Sequence, residues 1–457
     1  MTKNKTDIQQ YITPGRRAHM VGIGGVSMSS LAEVLHKNGM IISGSDWQES
    51  EKVSHLRELG ITIHTGEQNA ANIRGADCII RTAAAGEDNP EIAAARAAGI
   101  PVFERAEAWG AIMLRYQNAI CISGTHGKTT TTSMTTHIFM AAQTDPTVMI
   151  GGKLPLIGSD YRVGKGDTII LESCEYCNSF HYFFPTIAVV LNVEADHLDF
   201  FKDLNEIKAS FRRFAALAEE KGRIICNADD ANTMDALAGL PLFTFAVENE
   251  ADFRAENLTW DHGMPSFDIV ANGTLYTHLN LRVGGMHNVQ NALAAAASAY
   301  LLGISGDAVS EGLRSFTGAG RRFEYKGEFR GARIYDDYSH HPSELHALLS
   351  MVKDLGYDRI VCAFQPHTYT RTKALFQEFI SELKAADRVI LAEIYAAREQ
   401  NTIGISSRDL AAQIPGAIYC PTLEDVTEAL RNTARPGDLI LTVGAGNIVT
   451  AGEALLK

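Results

Sequence analysis

Ile120-Cys121-Ile122-Ser123-Gly124-Thr125-His126-Gly127-Lys128-Thr129-Thr130 joins an apolar run to two glycines and a Lys-Thr-Thr sequence. Ser133 to Ala142 follow with a composition that suits a helix. Strand, loop and helix in that order are the context a phosphate-cradling loop requires. Glycines let backbone N–H groups face phosphate oxygens, and the start of the helix adds its dipole. Lys128 is expected to reach the β- and γ-phosphates as an exposed loop lysine that supports no core. Thr129 is expected to offer its hydroxyl to Mg²⁺. The loop is the short Gly-x-x-Gly-Lys-Thr form, because Ile122 stands where the longer pattern has its first glycine. A glycine turn that merely opens a helix is the plain alternative.

Composition narrows what surrounds this loop. A chain of 457 residues leaves room for two to four domains, each with its own core. A hydrophobic fraction of 46% and a charged fraction of 21% describe an ordinary globular chain. The net charge of −13 argues against a nucleic-acid partner, since no basic excess exists to displace counterions. Met1 to Ile12 is polar, and the small-apolar run Ala292 to Leu302 is too short for a bilayer. A soluble, cytoplasmic protein without membrane insertion is expected. Seven scattered cysteines read as reduced thiols. Cys174-Glu175-Tyr176-Cys177 has CxxC spacing but no second pair to complete a zinc site.

Outward from the loop, strands and helices alternate in both directions. Upstream, His19 to Ile23 meets Gly24-Gly25, and Ser30 to Lys37 reads as a helix. A second strand, Met40 to Ile42, ends near Asp46, an acidic residue about 20 positions past the glycines. That is a dinucleotide-fold arrangement, but Met28 and Ser29 replace the third glycine. NAD and a different diphosphate both fit such a turn. Further βα units, Cys78 to Arg81 with Asn89 to Ala98 and Pro101 to Phe103 with Ala106 to Tyr116, argue a parallel sheet. Downstream, Thr168 to Leu171 ends in Glu172, and Ile187 to Leu191 leads to Asp196-His197. Three strands of one sheet would thus deliver Thr129, Glu172 and His197 to one edge as Mg²⁺ ligands. Leu204 to Ala218 reads as an amphipathic helix. Phe243 to His278 alternates as an antiparallel patch beside that sheet. His287, Asn288 and Asn291 open an alanine-rich helix, suited equally to an adenine edge and to helix capping.

Gly318-Ala319-Gly320 is a natural hinge. Beyond it, strands are expected at Ile334-Tyr335, Ile360 to Phe364, Val389 to Ala392 and Leu439 to Val443. Asp336 to Pro342 and Gln365 to Arg371 both follow strands and should face one crevice. Metal at the adjacent His340-His341 pair is disfavoured, because neighbouring side chains point apart. Gly444-Ala445-Gly446 reads as a βα turn only. The expected class is α/β in three domains, each on a mainly parallel sheet with flanking helices. They are Rossmann-like over 1–115, P-loop over 116–319 and doubly wound over 320–457.

The motifs resemble, in order and over nearly the whole chain, those of the Mur ligases, ATP-dependent amide ligases of peptidoglycan precursor synthesis. The resemblance rests on Gly124 to Thr130, Glu172 with Glu175, Asn192 to Asp199, His287 to Asn291, Gly318 to Phe323 and Asp336 to Pro342. Gly22 to Gly25, Gln365-Pro366-His367 with Arg371, and Glu393 to Glu399 favour the member that adds a first L-alanine. The resemblance implies UDP-N-acetylmuramate on the first domain at Gly22, Gly24, Gly25 and Asp46. It implies ATP on the central one at Gly124, Thr125, His126, Gly127, Lys128, Thr129 and Thr130, with Asn291 and Arg322. Tyr338, His340 and Arg371 would line the amino-acid site, and Lys128, Glu172, His197, His340 and Arg371 would carry the chemistry. Arg212 stands near the place where sister ligases carry a modified lysine, and Cys174 and Cys177 interrupt the acidic stretch. Outside this family, a dehydrogenase built on the first glycine turn and a P-loop ATPase without ligase chemistry are the rival readings.

Overall fold

The computed structural model describes residues 8–198, 200–218, 222–353, 355–397 and 399–457; Asp199, Arg398 and the start of the Met1–Ile12 stretch lie outside these. The first sheet contains β1 (Arg17–Val21), β2 (Ile41–Asp46), β3 (Thr62–Thr65), β4 (Cys78–Arg81) and β5 (Val102–Glu104). All five are parallel, in the order β3-β2-β1-β4-β5. Chain order reverses beside β1, so the turn leaving β1 opens a crevice at the strand ends. That turn is Gly22 to Gly25, and helix Val26–Lys37 starts directly after it.

The central sheet contains β6 (Asn118–Ser123), β7 (Thr147–Leu154), β8 (Ser159–Arg162), β9 (Thr168–Glu172), β10 (Ile187–Val190), β11 (Arg223–Asn227), β12 (Leu242–Ala246), β13 (Phe253–Asp261), β14 (Met264–Ala271) and β15 (Thr274–Asn280). Its order is β15-β14-β13-β12-β11-β10-β6-β9-β7-β8. The expected antiparallel patch is present as β13-β14-β15, but it continues the main sheet through a parallel β12–β13 pair. The β6 strand sits between β10 and β9, buried on both faces, which is why it reads as a continuous apolar run. Its residues alternate between two cores. Ile120 and Ile122 pack under the helices with Met134 and Val289, while Ala119 and Cys121 face a core that includes Trp109 and Phe180. That second core is continuous with the first domain.

The third sheet contains β16 (Glu324–Phe329), β17 (Ala332–Asp337), β18 (Arg359–Phe364), β19 (Arg388–Ala392), β20 (Ile418–Cys420) and β21 (Asp438–Val443). It runs β16-β17-β21-β18-β19-β20, parallel except for the edge hairpin β16–β17. Among the described residues, no helix is long and apolar enough to cross a membrane.

The helix after the phosphate loop begins earlier than composition indicated, at Lys128 instead of Ser133. Thr132, Thr135 and Thr136 donate their hydroxyls to carbonyls one turn back, at 2.7–2.8 Å. Their β-branched, polar side chains are satisfied inside the helix and so do not break it. Lys128 and Thr129 therefore ride on the rigid first turn.

Candidate functional site

Gly127 adopts φ 81°, and a Cβ there would lie 2.5 Å from the Asn291 amide oxygen. Glycine is required by the backbone and by that close approach together. The loop is pinned to its neighbour strand by Asn192, whose Oδ1 accepts from His126 N at 2.7 Å. Lys128 Nζ donates to the Gly124 carbonyl at 2.5 Å and to Glu175 Oε2 at 3.0 Å. The Lys128 side chain is only 13% exposed and that of Glu175 3%, which corrects the picture of an exposed loop lysine. Burial alone would lower the ammonium, but Glu175 and Glu172 outweigh it and hold the lysine charged.

Thr129 donates its hydroxyl to Glu172 Oε2 at 2.9 Å. The same oxygen accepts from Gly151 N at 2.6 Å, and a Cβ on Gly151 would collide with the carboxylate. His197 presents Nε2 3.6 Å from Glu175 Oε1, with its own backbone in the left-handed region at φ 53°. Burial lowers the His197 imidazole against the pull of Asp196 and Glu175, which favours a neutral ring with a free lone pair. Thr129, Glu172 and His197 all line one cavity of about 1070 Å³.

The opposite wall of that cavity comes from the third domain. Arg321 and Arg322 place their guanidinium groups 5.0 and 5.2 Å from the Tyr338 ring centre. Arg321 also donates to Asp336 and to the carbonyls of Gly444 and Gly446. The Gly444–Gly446 turn thus anchors this arginine, a use beyond the simple turn its sequence conveys. His340 Nδ1 lies 3.0 Å from the Tyr338 carbonyl, and burial pushes the imidazole down to about 4. A second cavity of about 290 Å³ adjoins the loop, between Gly127, Thr130, Asn291, Phe316, Arg322 and Phe323. Asn291 in it accepts from Thr131 Oγ1 at 3.1 Å.

A third, much smaller cavity of about 40 Å³ lies between Asp196-His197 and His367, Thr368 and Arg371. Arg371 directs Nε and Nη2 at Asp196 Oδ1, at 3.0 and 2.7 Å. Its remaining arm, Nη1, meets His367 Nδ1 at 3.2 Å. Burial would raise the Asp196 carboxyl, yet Arg371, His197 and His340 hold it far below the usual carboxylate range. Arg371, which the resemblance implies for the amino-acid site, thus gives two nitrogens of its fork to Asp196.

On the first domain, Gly22 has φ 78° and Asp46 Oδ2 accepts from Gly24 N at 2.8 Å. Asp46 thereby helps shape the glycine turn.

Comparisons with known proteins agree with this three-sheet arrangement. Family models for the Mur ligase family catalytic domain, the Mur ligase middle domain and the Mur ligase glutamate ligase domain match residues 17–117, 122–299 and 321–446. The chain is 48% identical to the UDP-N-acetylmuramate–L-alanine ligase of Agathobacter rectalis, covering 96% of this chain and 97% of that one. It is 42% identical to the like-named ligase of Caldanaerobacter subterraneus, covering 97% of each. This chain belongs to the Mur ligase family. Among solved structures, the UDP-N-acetylmuramate-alanine ligase of Thermotoga maritima superposes with a TM-score of 0.81 at 28% identity, over 96% of this chain and 98% of that one. A murein peptide ligase of Psychrobacter arcticus shares the fold, with a TM-score of 0.72 at 24% identity over 97% and 98%.

As a Mur ligase, the chain gathers most of its sequence-marked residues at one place. Lys128, Thr129, Glu172, His197, Tyr338, His340 and Arg322 share the large cavity, although 150 positions separate Glu172 from Arg322 and 166 separate it from Tyr338. Gly22, Gly24, Gly25 and Asp46 are not among the residues lining it. Arg212 is turned away, with its guanidinium on the carbonyls of Ala236 and Ala238. Cys174 lies beside the site, its thiol pushed up to about 12 by burial and by Glu175. Four participants carried no marked role in the sequence reading. Gly151 was missed because a lone glycine in a strand has no partner pattern to announce it. Ser343 and Glu344 were missed because their partner, His126, lies on another domain, and Glu194 because 68 positions separate it from His126. The acidic residue three positions after the His340-His341 pair was the available signal for Glu344.

Proposed function

We propose that the chain is an ATP-dependent ligase joining L-alanine to the lactyl carboxylate of UDP-N-acetylmuramate, in peptidoglycan precursor synthesis. The supporting observation is the shared cavity. A phosphate loop with a charged, buried lysine faces a wall of Arg322, Tyr338 and neutral His340 across about 1070 Å³. We take 1–115, 116–319 and 320–457 as the working units, binding the UDP-sugar, ATP and the amino acid respectively.

In this reading Gly124 to Thr130 cradle the phosphates, and the pocket with Asn291 and Arg322 takes the nucleoside. Gly22, Gly24 and Gly25 let the UDP diphosphate approach the start of helix Val26–Lys37, whose dipole favours an anion. Thr129 Oγ1, Glu172 and His197 fit Mg²⁺, since the hydroxyl and carboxylate already converge at 2.9 Å and the imidazole is lowered toward neutrality. Bound there, the ion supplies positive charge beside the transferred phosphoryl group.

The chemistry follows from the poor electrophilicity of a carboxylate. Phosphorylation by ATP turns the lactyl carboxylate into an acyl phosphate. Lys128 neutralises charge on the migrating phosphoryl group from a fixed, low-dielectric position. The neutral amine of alanine then attacks the acyl carbon, and inorganic phosphate leaves. Water would hydrolyse the acyl phosphate, so the third domain must cover the site. The Gly318–Gly320 segment is the proposed hinge. It runs into Arg321 and Phe323, both in the left-handed region at φ 58° and 50°, which store strain beside the cavity.

The test is phosphate release from ATP with the full chain. Release should require UDP-N-acetylmuramate and L-alanine together. Hydrolysis that proceeds equally without the UDP-sugar would make this an ATPase and overturn the ligase reading.

A further inference from the structure

We infer that His126, Glu194 and His341 form a binding site for a zinc-like divalent cation that bridges the phosphate loop to the C-terminal domain. One ligand atom from each of the three lies within 4.8 Å of the others. The His126 Nε2 to Glu194 Oε2 distance is 3.3 Å, and His341 Nδ1 stands 3.7 Å from the same oxygen. Bonds of about 2.0–2.2 Å put tetrahedral zinc donors roughly 3.3–3.5 Å apart, so little adjustment is needed. Ser343 Oγ sits at the fourth corner, 3.1 Å from His126 Nε2, 2.8 Å from Glu194 Oε2 and 2.8 Å from His341 Nδ1.

The surrounding groups orient both rings for ligation. His126 Nδ1 lies 3.1 Å from Glu344 Oε1, which accepts its proton and leaves Nε2 facing Glu194. His341 Nε2 lies 3.3 Å from the Ala195 carbonyl, which cannot donate, so Nδ1 carries the lone pair. A carboxylate or carbonyl behind each ligating imidazole is the second layer that metal sites use to set tautomer and basicity. Two imidazoles and one carboxylate suit zinc, cobalt or nickel far better than magnesium, which prefers oxygen. This position is distinct from the one proposed for Mg²⁺ at Thr129, Glu172 and His197, and it does not depend on the ligase reading.

Cobalt substitution tests the site on the untagged full chain, free of nucleotide. Co²⁺ should give one equivalent of the intense visible absorption of tetrahedral coordination, displaced by Zn²⁺ and not by millimolar Mg²⁺. His341→Ala and Glu194→Gln should each abolish it, while Cys174→Ala and His197→Ala keep it. His341→Gln, which preserves ring-sized volume, serves if the alanine variant melts early. Zn²⁺ should also raise the melting temperature of the wild type and leave that of the His341 variants unmoved. Absence of the band in the wild type would overturn the proposal. So would a band that survives loss of His341 or disappears with His197.

Discussion

Lys128 and Glu175 are paired out of solvent, and that pairing separates two roles of the lysine. As the group that meets transferred charge, its removal in Lys128→Ala should lower kcat at least ~10²-fold. As the partner of a 3%-exposed carboxylate, its removal also strands Glu175, at a cost of about 3–5 kcal/mol. The double variant Lys128→Ala with Glu175→Gln should therefore recover stability in urea without recovering turnover. Recovery of both would remove Lys128 from the chemistry. Beside it, Glu172→Gln and His197→Ala should each raise the Mg²⁺ concentration needed for half-maximal rate; titration curves overlaying the wild type would dismiss them as ligands. Asp196 and Arg371 show what residue-level reading of a sequence misses. Each was quoted on its own loop, and their ion pair spans 175 positions, so no local pattern announces it.

At the scale of elements, the helix Lys128–Ala141 couples the phosphate loop to the core. His137 on this helix contacts Ser315 Oγ at 2.7 Å and stacks edge-on against Phe316. Burial pushes its imidazole down to about 4. The unfolded chain then binds the extra proton between about pH 6.5 and 4, so folded-state stability is complete above pH 6.5 and is lost as pH falls toward 4. For one such histidine the loss approaches about 3 kcal/mol. His287 and His340, also pushed down to about 4 by burial, act in the same window. Urea midpoints measured from pH 7 to 4 should fall less steeply for His137→Gln than for the wild type; parallel curves would refute this assignment. Strands such as β6, β9, β10, β18 and β21 were legible because parallel strands buried on both faces must be apolar runs, whereas β3, β7, β8, β11, β16 and β20 were not read from the sequence. Helix starts were less legible. Threonine has weak helix propensity, and only the back-bonding of Thr132, Thr135 and Thr136 shows why Lys128–Ala141 tolerates so many. The junction of β12 with β13 was missed for a related reason. An antiparallel hairpin series looks the same in sequence whether its first strand stands alone or extends a parallel sheet.

For the whole molecule, the open choice in the family is which amine meets the acyl phosphate. A murein peptide ligase of Psychrobacter arcticus shares this fold, so fold does not decide between a single residue and a peptide. The discriminating region lies where the central and third domains meet. There Asp196 and His197 approach His367, Thr368 and Arg371 around only about 40 Å³. Arg371 is fixed by Asp196 through two nitrogens and by His367 through the third, which keeps this region closed and small. A tripeptide would have to break the Asp196–Arg371 pair, both side chains of which are at most 9% exposed, to enter. L-alanine should accordingly be the preferred acceptor. Glycine should be poorer by a modest factor, since a missing methyl costs about 1–3 kcal/mol in a fitted pocket. Arg371→Ala should raise KM for alanine well above any change in KM for ATP, and should enlarge the pocket enough to narrow the gap between alanine and longer amines. The measurement is kcat/KM for L-alanine and for L-alanyl-γ-D-glutamyl-diaminopimelate in parallel. A higher value for the tripeptide in the wild type would mean that the Asp196–Arg371 pair opens to admit it, and that the enzyme attaches peptides in place of single residues.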